Sequence, residues 1–326
     1  MNCSKFPTAA PLTARAGLAE RLQSWAQYVR LVNTRAEQQR LSAMRLDVLA
    51  TYIAPWADVA DAELTAQWAA FICLIDDRFD RCTPDERSRS VDMLFDPVMA
   101  VLAGETVASS AGPQRAMADL WGRTASRMPE PWRKRFIADY ADYARATREE
   151  SDSRARERQL SLAEYLTLRR RTITLLPMAD VMECTSSALM PNPPGLLEEL
   201  RYMAADVVGW ANDLASVEED GLRGHANLVT VLQYERSCSR TAARDEARRM
   251  HERRLREFRS LARRIEQEDG ACAAQREAVH AYTAAFCRLV DAALHWLGMT
   301  GRFDPHGSPA VSLSDRAEAT GPRRER

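Results

Sequence analysis

Lysine is almost missing from this chain. Lys5 and Lys134 are the only two among 45 basic residues, so arginine carries the positive charge. That bias belongs to genome base composition more than to function, and a formal net charge of −1 over 326 residues gives no sign of a polyanionic partner such as nucleic acid. Seven cysteines at 3, 73, 82, 184, 238, 272 and 287 form no CxxC pair and no zinc spacing, which reads as reduced thiols in a cytoplasmic protein. No apolar run approaches the ~18 residues of a membrane span. The N-terminus, MNCSKFPTAAPLTARAG, lacks the apolar centre of a secretory signal. Alternating strand patterns and internal repeats are missing as well, so the expectation is an all-α chain.

What is present is helical periodicity almost throughout. Leu18, Leu22, Trp25, Val29 and Val32 mark a first amphipathic helix, and a second runs from about Gln38 to Ile53 and stops at Pro55. Asp61 is expected to cap a third. The box Thr83-Pro84-Asp85-Glu86 opens a helix to Gly104, and helices follow at 114–127 and 131–150. The charged stretch 148–159 reads as a solvated helix end or loop, and Ser161 to Glu164 opens a helix carrying Arg169, Arg170, Arg171 and Thr172. After the break PNPPG at 191–195, helices are expected at 196–220, 226–236, 240–267 and 271–298. This makes ten or eleven helices in a single domain over residues 13–303, with a flexible arm at 1–12 and a disordered tail at 304–326.

Two helix ends stand out. Trp68 to Ile75 (WAAFICLI) has no polar side chain but a thiol, the pattern of a helix buried on all sides, and it runs straight into Asp76, Asp77 and Asp80. These acids fall in the last turn, where the macrodipole disfavours each exposed carboxylate by roughly 0.3–1 kcal/mol. The helix that stops at Gly221 does the same with Asn212-Asp213-Leu214-Ala215-Ser216-Val217-Glu218-Glu219-Asp220. Asn212 and Ser216 share a face, with Glu219 and Asp220 close to it. Amide, hydroxyl and carboxylate oxygens aimed from one face suit Mg²⁺. An arginine triplet lies between the two clusters. Metal at two ends plus arginine points to a multiply charged anion, and a diphosphate fits.

The combination resembles the class I terpene cyclases of bacterial type. The resemblance rests on Asp76-Asp77-Arg78-Phe79-Asp80, on Asn212 to Asp220, on Arg169 in LRRRT, on Arg302-Phe303, and on His225-Ala226-Asn227-Leu228-Val229, and it covers roughly residues 20 to 303. It implies a single α-helical bundle around a central active-site cavity. By the same resemblance Asp76 bridges two magnesium ions with Asp77 and Asp80 beside it, while Asn212, Ser216 and Asp220 hold a third. Arg169 senses diphosphate, Thr172 and Ile173 link that contact to the reacting end of the substrate, Arg302 donates to diphosphate, and Trp296 is a pocket tryptophan. The implied reaction is ionisation of a linear prenyl diphosphate and cyclisation of the carbocation in a dry cavity, where aromatic faces stabilise the cation. Homodimerisation follows from the resemblance alone. Three positions depart from the pattern: Asp220 where Glu is usual, Glu219 where Lys is common, and Phe303 where Tyr is usual. Glu219 is therefore an alternative metal ligand to the shorter Asp220.

Counting back along the helix faces gives Cys73, Ile72 and Ala69 below Asp76, and Gly209 and Val208 below Asn212. Phe71 and Phe79 are further wall candidates. The small residues among these predict a roomy cavity for a C15 or C20 chain. Two other readings compete. An isoprenyl diphosphate synthase shares the helical class but expects a second aspartate-rich motif, and a non-catalytic helical protein could bind cations at both acidic ends. A di-iron bundle needs two Glu-x-x-His pairs, and only Glu277 to His280 fits.

Overall fold

The computed structural model describes residues 16–80, 84–105, 112–191, 194–267 and 272–303, with backbone only for residues 80 and 84–90. The expected arm at 1–12, the tail at 304–326 and the Thr83 capping box lie outside the described residues or side chains. Among the described residues there are thirteen α-helices and no strand. They are α1 Leu18–Tyr28, α2 Arg35–Met44, α3 Leu46–Ile53, α4 Val59–Asp80, α5 Pro84–Leu102, α6 Gly112–Ala125, α7 Glu130–Ala155, α8 Leu162–Thr172, α9 Leu175–Ser186, α10 Leu196–Arg223, α11 Leu228–Glu235, α12 Arg240–Gln267 and α13 Ala273–Leu297.

The higher helix count has a local cause. Two stretches expected as single helices each break at one residue with positive φ, Arg45 (φ 54°) between α2 and α3 and Thr174 (φ 58°) between α8 and α9. Neither residue type favours the left-handed region, so tertiary packing imposes both breaks. Two boundaries also shift. Asp58, not Asp61, caps α4 by accepting from the Asp61 N–H at 2.9 Å, and α7 runs on through the charged stretch to Ala155, with Ser151 buried.

α4 is the buried helix its sequence predicts, since every residue from Trp68 to Ile75 is at most 8 % exposed. On one side Trp68 meets Phe71 and Phe136 edge-on, and Phe79 stacks on Phe95 at 5.2 Å. Phe136 in turn stacks with Trp121, Trp132 and Tyr140. This aromatic layer fixes α4 against α5, α6 and α7. The opposite side of α4 faces α3, α9, α10 and α13 across a cavity. Buried charge holds the outer helices in place. Arg201 of α10 reaches Asp139, Asp180, Glu183 and the Tyr282 hydroxyl. Arg170 and Arg254 both pair with the buried Asp206.

Candidate active site

The cavity has a volume of about 100 Å³ and opens at the C-terminal ends of α4 and α10. Ala69, Ile72, Cys73 and Asp76 line it from α4, Val208 and Asn212 from α10, and Arg169, Thr172 and Ile173 from the end of α8. Trp296 and Arg302 complete the wall. The face counting therefore holds for these positions. Burial pushes the Cys73 thiol up to about 11, so it contributes a neutral, weakly polar surface.

Three expectations change. Phe71 and Phe79 belong to the aromatic layer behind α4 and do not line the cavity. Phe71 lies five residues before Asp76, about 140° around the helix from it, and Phe79 is drawn off by Phe95. Gly209 stands behind the wall, where a Cβ would sit 3.5 Å from Arg169 Cγ and 3.7 Å from Ile173 Cβ. The space itself is narrow, not roomy. Leu49 and Ile53 of α3, Leu175 and Met178 of α9, and Leu289 and Leu297 of α13 fill what the small residues of α4 and α10 leave open.

At the mouth, arginines meet both acidic ends. The Arg302 guanidinium, 9 % exposed, donates to Asp77 Oδ1 from Nε at 3.0 Å and Nη2 at 2.8 Å, and to Asp76 Oδ2 from Nη2 at 2.7 Å. Its segment is anchored on the α2–α3 junction, where Trp296 Nε1 and Thr300 Oγ1 both donate to Met44 O and Gly301 N donates to Ala43 O. Gly301 permits this approach, because a Cβ there would lie 3.2 Å from Ala43 O. Phe303 packs at the edge of the core with its ring centroid 5.5 Å from the Arg302 guanidinium.

Arg169 serves the other end. It donates from Nε to Asp213 Oδ1 at 2.8 Å and from Nη2 to Asn212 Oδ1 at 2.7 Å. Asp213 also accepts from the Tyr165 hydroxyl at 2.6 Å and the Leu228 N–H at 3.1 Å, which makes it a structural hub that the sequence reading passed over. Ser216 Oγ shares its one proton between Asn212 O at 3.0 Å and Asp220 Oδ2 at 2.6 Å, so its lone pairs stay available. Asp220 Oδ2 also accepts from Asn227 Nδ2 at 2.7 Å. Glu219 turns toward Arg223 at 2.6 Å and lies within the electrostatic reach of Asp77 and Arg302. Burial raises the pKa of both Glu219 and Asp220 above the ordinary carboxylate range. The Asp80 side chain lies outside the described residues.

The donors at both ends are all oxygen: carboxylate, amide and hydroxyl. That chemistry fits a hard divalent cation. Among the described residues no three His, Cys, Asp or Glu converge on one point, so any such ion must also use the Asn212 and Ser216 oxygens or those of a ligand.

An all-α bundle whose two acidic helix ends face each other over an apolar cavity is the architecture of a class I terpene synthase. Comparison agrees. A family model described as "Terpene synthase family 2, C-terminal metal binding" matches residues 67–257. The chain is 30 % identical over 304 residues to 7-epi-alpha-eudesmol synthase ((2E,6E)-farnesyl diphosphate cyclizing) of Streptomyces viridochromogenes, covering 90 % of this chain and 89 % of that one. It is 27 % identical to pentalenene synthase of Streptomyces exfoliatus, covering 93 % and 92 %. The solved structure of an a-eudesmol synthase superimposes with a TM-score of 0.78 at 28 % identity, over 87 % of this chain and 94 % of that one. The chain belongs to terpene synthase family 2 and is a terpene synthase. No helix among the described residues is long and apolar enough to cross a membrane.

Proposed function

We propose that the chain is a magnesium-dependent sesquiterpene cyclase acting on farnesyl diphosphate. The observation that carries this reading is the pairing of Arg302 with Asp76 and Asp77, and of Arg169 with Asn212, at the mouth of an apolar cavity. Each end brings hard oxygen ligands and a guanidinium to the same place, which is what a diphosphate leaving group requires. The C15 chain is inferred from the relative whose name specifies farnesyl diphosphate.

In this reading Asp76, Asp77 and Asp80 hold two magnesium ions, and Asn212, Ser216 and Asp220, with Glu219 at their side, hold a third. Bound there, magnesium supplies Lewis-acid neutralisation of the diphosphate. Arg302 and Arg169 exchange their carboxylate and amide partners for phosphate oxygens, and the allylic C–O bond breaks with its electron pair leaving on the diphosphate. Thr172 and Ile173, at the α8–α9 break, pass the position of Arg169 to the cavity wall. Ala69, Ile72, Cys73 and Val208 exclude water from the cation. Trp296 has its N–H committed to Met44 O, so it offers the cavity only π density, worth about 0.5–2 kcal/mol to a desolvated cation.

The test is incubation of purified protein with farnesyl diphosphate and Mg²⁺, followed by mass spectrometry of the organic extract. A cyclic C15 product is expected, and its loss in Asp76→Asn and in Asn212→Ala. Elongated prenyl diphosphates formed only when isopentenyl diphosphate is added would instead make this an isoprenyl diphosphate synthase. No turnover and no magnesium-dependent diphosphate binding would leave a non-catalytic helical protein.

A further inference from the structure

We infer that Asn227 is a positioning residue for the second acidic end, acting through Asp220. This rests on the proposed role of Asn212, Ser216 and Asp220 in holding a divalent cation. Asn227 is fully buried, and both its amide nitrogen and its amide oxygen have partners. Its Oδ1 accepts from Val229 N at 2.9 Å and so caps α11, while Nδ2 donates to Asp213 O at 2.8 Å and to Asp220 Oδ2 at 2.7 Å. One amide thus ties the start of α11 to the last turn of α10.

The consequence lies in which Asp220 oxygen is taken. Ser216 and Asn227 both bond Oδ2, whereas Oδ1 makes only a long 3.9 Å contact with His225 Nδ1. Oδ1 is therefore the oxygen with lone pairs to give. An aspartate is one methylene shorter than glutamate and can reach a shared cation only from a well-fixed rotamer. Two donors on Oδ2 provide that fixing. Partners of this kind behind a metal ligand typically change metal affinity by about 10–100-fold when removed.

The experiment uses the full chain, with inorganic diphosphate and Mg²⁺ as the probe in isothermal titration calorimetry. Asn227→Ser keeps an oxygen that can cap the Val229 N–H but is too short to reach Asp220. Asn227→Asp keeps the cap acceptor and the size but sets a carboxylate against Asp220. Thr230→Ala is the control, since Thr230 bonds only the Asn227 backbone and leaves the amide in place. Both Asn227 variants are expected to weaken magnesium-dependent diphosphate binding at least about 10-fold, with Thr230→Ala close to wild type. In an Asp220→Ala background, Asn227→Ser is expected to cost nothing further, because residues acting as a unit are not additive. Unchanged binding in Asn227→Ser, or the same loss with and without Asp220, overturns the inference. A wild-type protein that binds diphosphate without regard to Mg²⁺ removes the parent reading, and the inference falls with it.

Discussion

Arg302 supplies positive charge to the Asp76–Asp77 end, so replacing it with glutamine has a calculable cost. The substitution deletes three hydrogen bonds, two to Asp77 and one to Asp76, and takes a guanidinium away from two adjacent carboxylates. Asp76 is 44 % exposed, so its share is screened to roughly 0–1 kcal/mol. Asp77 is 16 % exposed and loses about 1.5–3 kcal/mol. The sum is about 1.5–4 kcal/mol, or a melting temperature lower by about 2–6 °C in a chain of this length. Differential scanning fluorimetry in EDTA should read that deficit in Arg302→Gln. In millimolar Mg²⁺ the deficit should shrink, because the cation can then take the vacated place without competing with a guanidinium. An equal deficit with and without Mg²⁺, or no deficit in EDTA, would refute the idea that the guanidinium stands where a cation goes.

Further outcomes follow from other parts of the structure. The buried group Asp139, Asp180 and Glu183 has three carboxylates against the guanidinia of Arg135 and Arg201. Burial and carboxylate repulsion push Asp139 and Glu183 up to about 7. A carboxylic acid raised on folding stabilises the protein at low pH, and that stability is lost as pH rises from about 4 toward 7. Melting curves should therefore show a fall from pH 5 to pH 7.5 that Asp139→Asn reduces. Phe136→Ala opens the aromatic layer behind α4 and should cost about 3–5 kcal/mol, read as a shift in denaturant midpoint. Val208→Phe fills the cavity from α10 and should change the product profile or lower kcat while leaving magnesium-dependent diphosphate binding near wild type, since the mouth is untouched.

The legible parts of the site were those governed by local periodicity. The buried run of α4, the acids in its last turn, the Asn212–Ser216 face and the wall positions counted back from each follow from 3.6 residues per turn. Arg170, in the same triplet as Arg169, faces away from the site and pairs with Asp206. What stayed hidden depends on contacts between segments far apart in sequence. Nothing local makes Arg45 or Thr174 a helix break, and the narrow cavity comes from α3, α9 and α13 closing on a face seen only from α4 and α10. Phe79 illustrates the same limit, since its stacking partner Phe95 on α5 decides which way it faces. The pairing of Arg302 with carboxylates about 225 positions away is likewise a contact that no local pattern announces.

The most direct measurement is a crystal structure grown with Mn²⁺ and inorganic diphosphate, with anomalous diffraction locating the metal. Anomalous peaks are expected at Asp76 and at the Asn212–Ser216–Asp220 end, with diphosphate between them and the guanidinia of Arg302 and Arg169 turned onto its oxygens. Diphosphate bound elsewhere, or no metal at the α10 end while Arg169 still holds Asn212, would contradict the account.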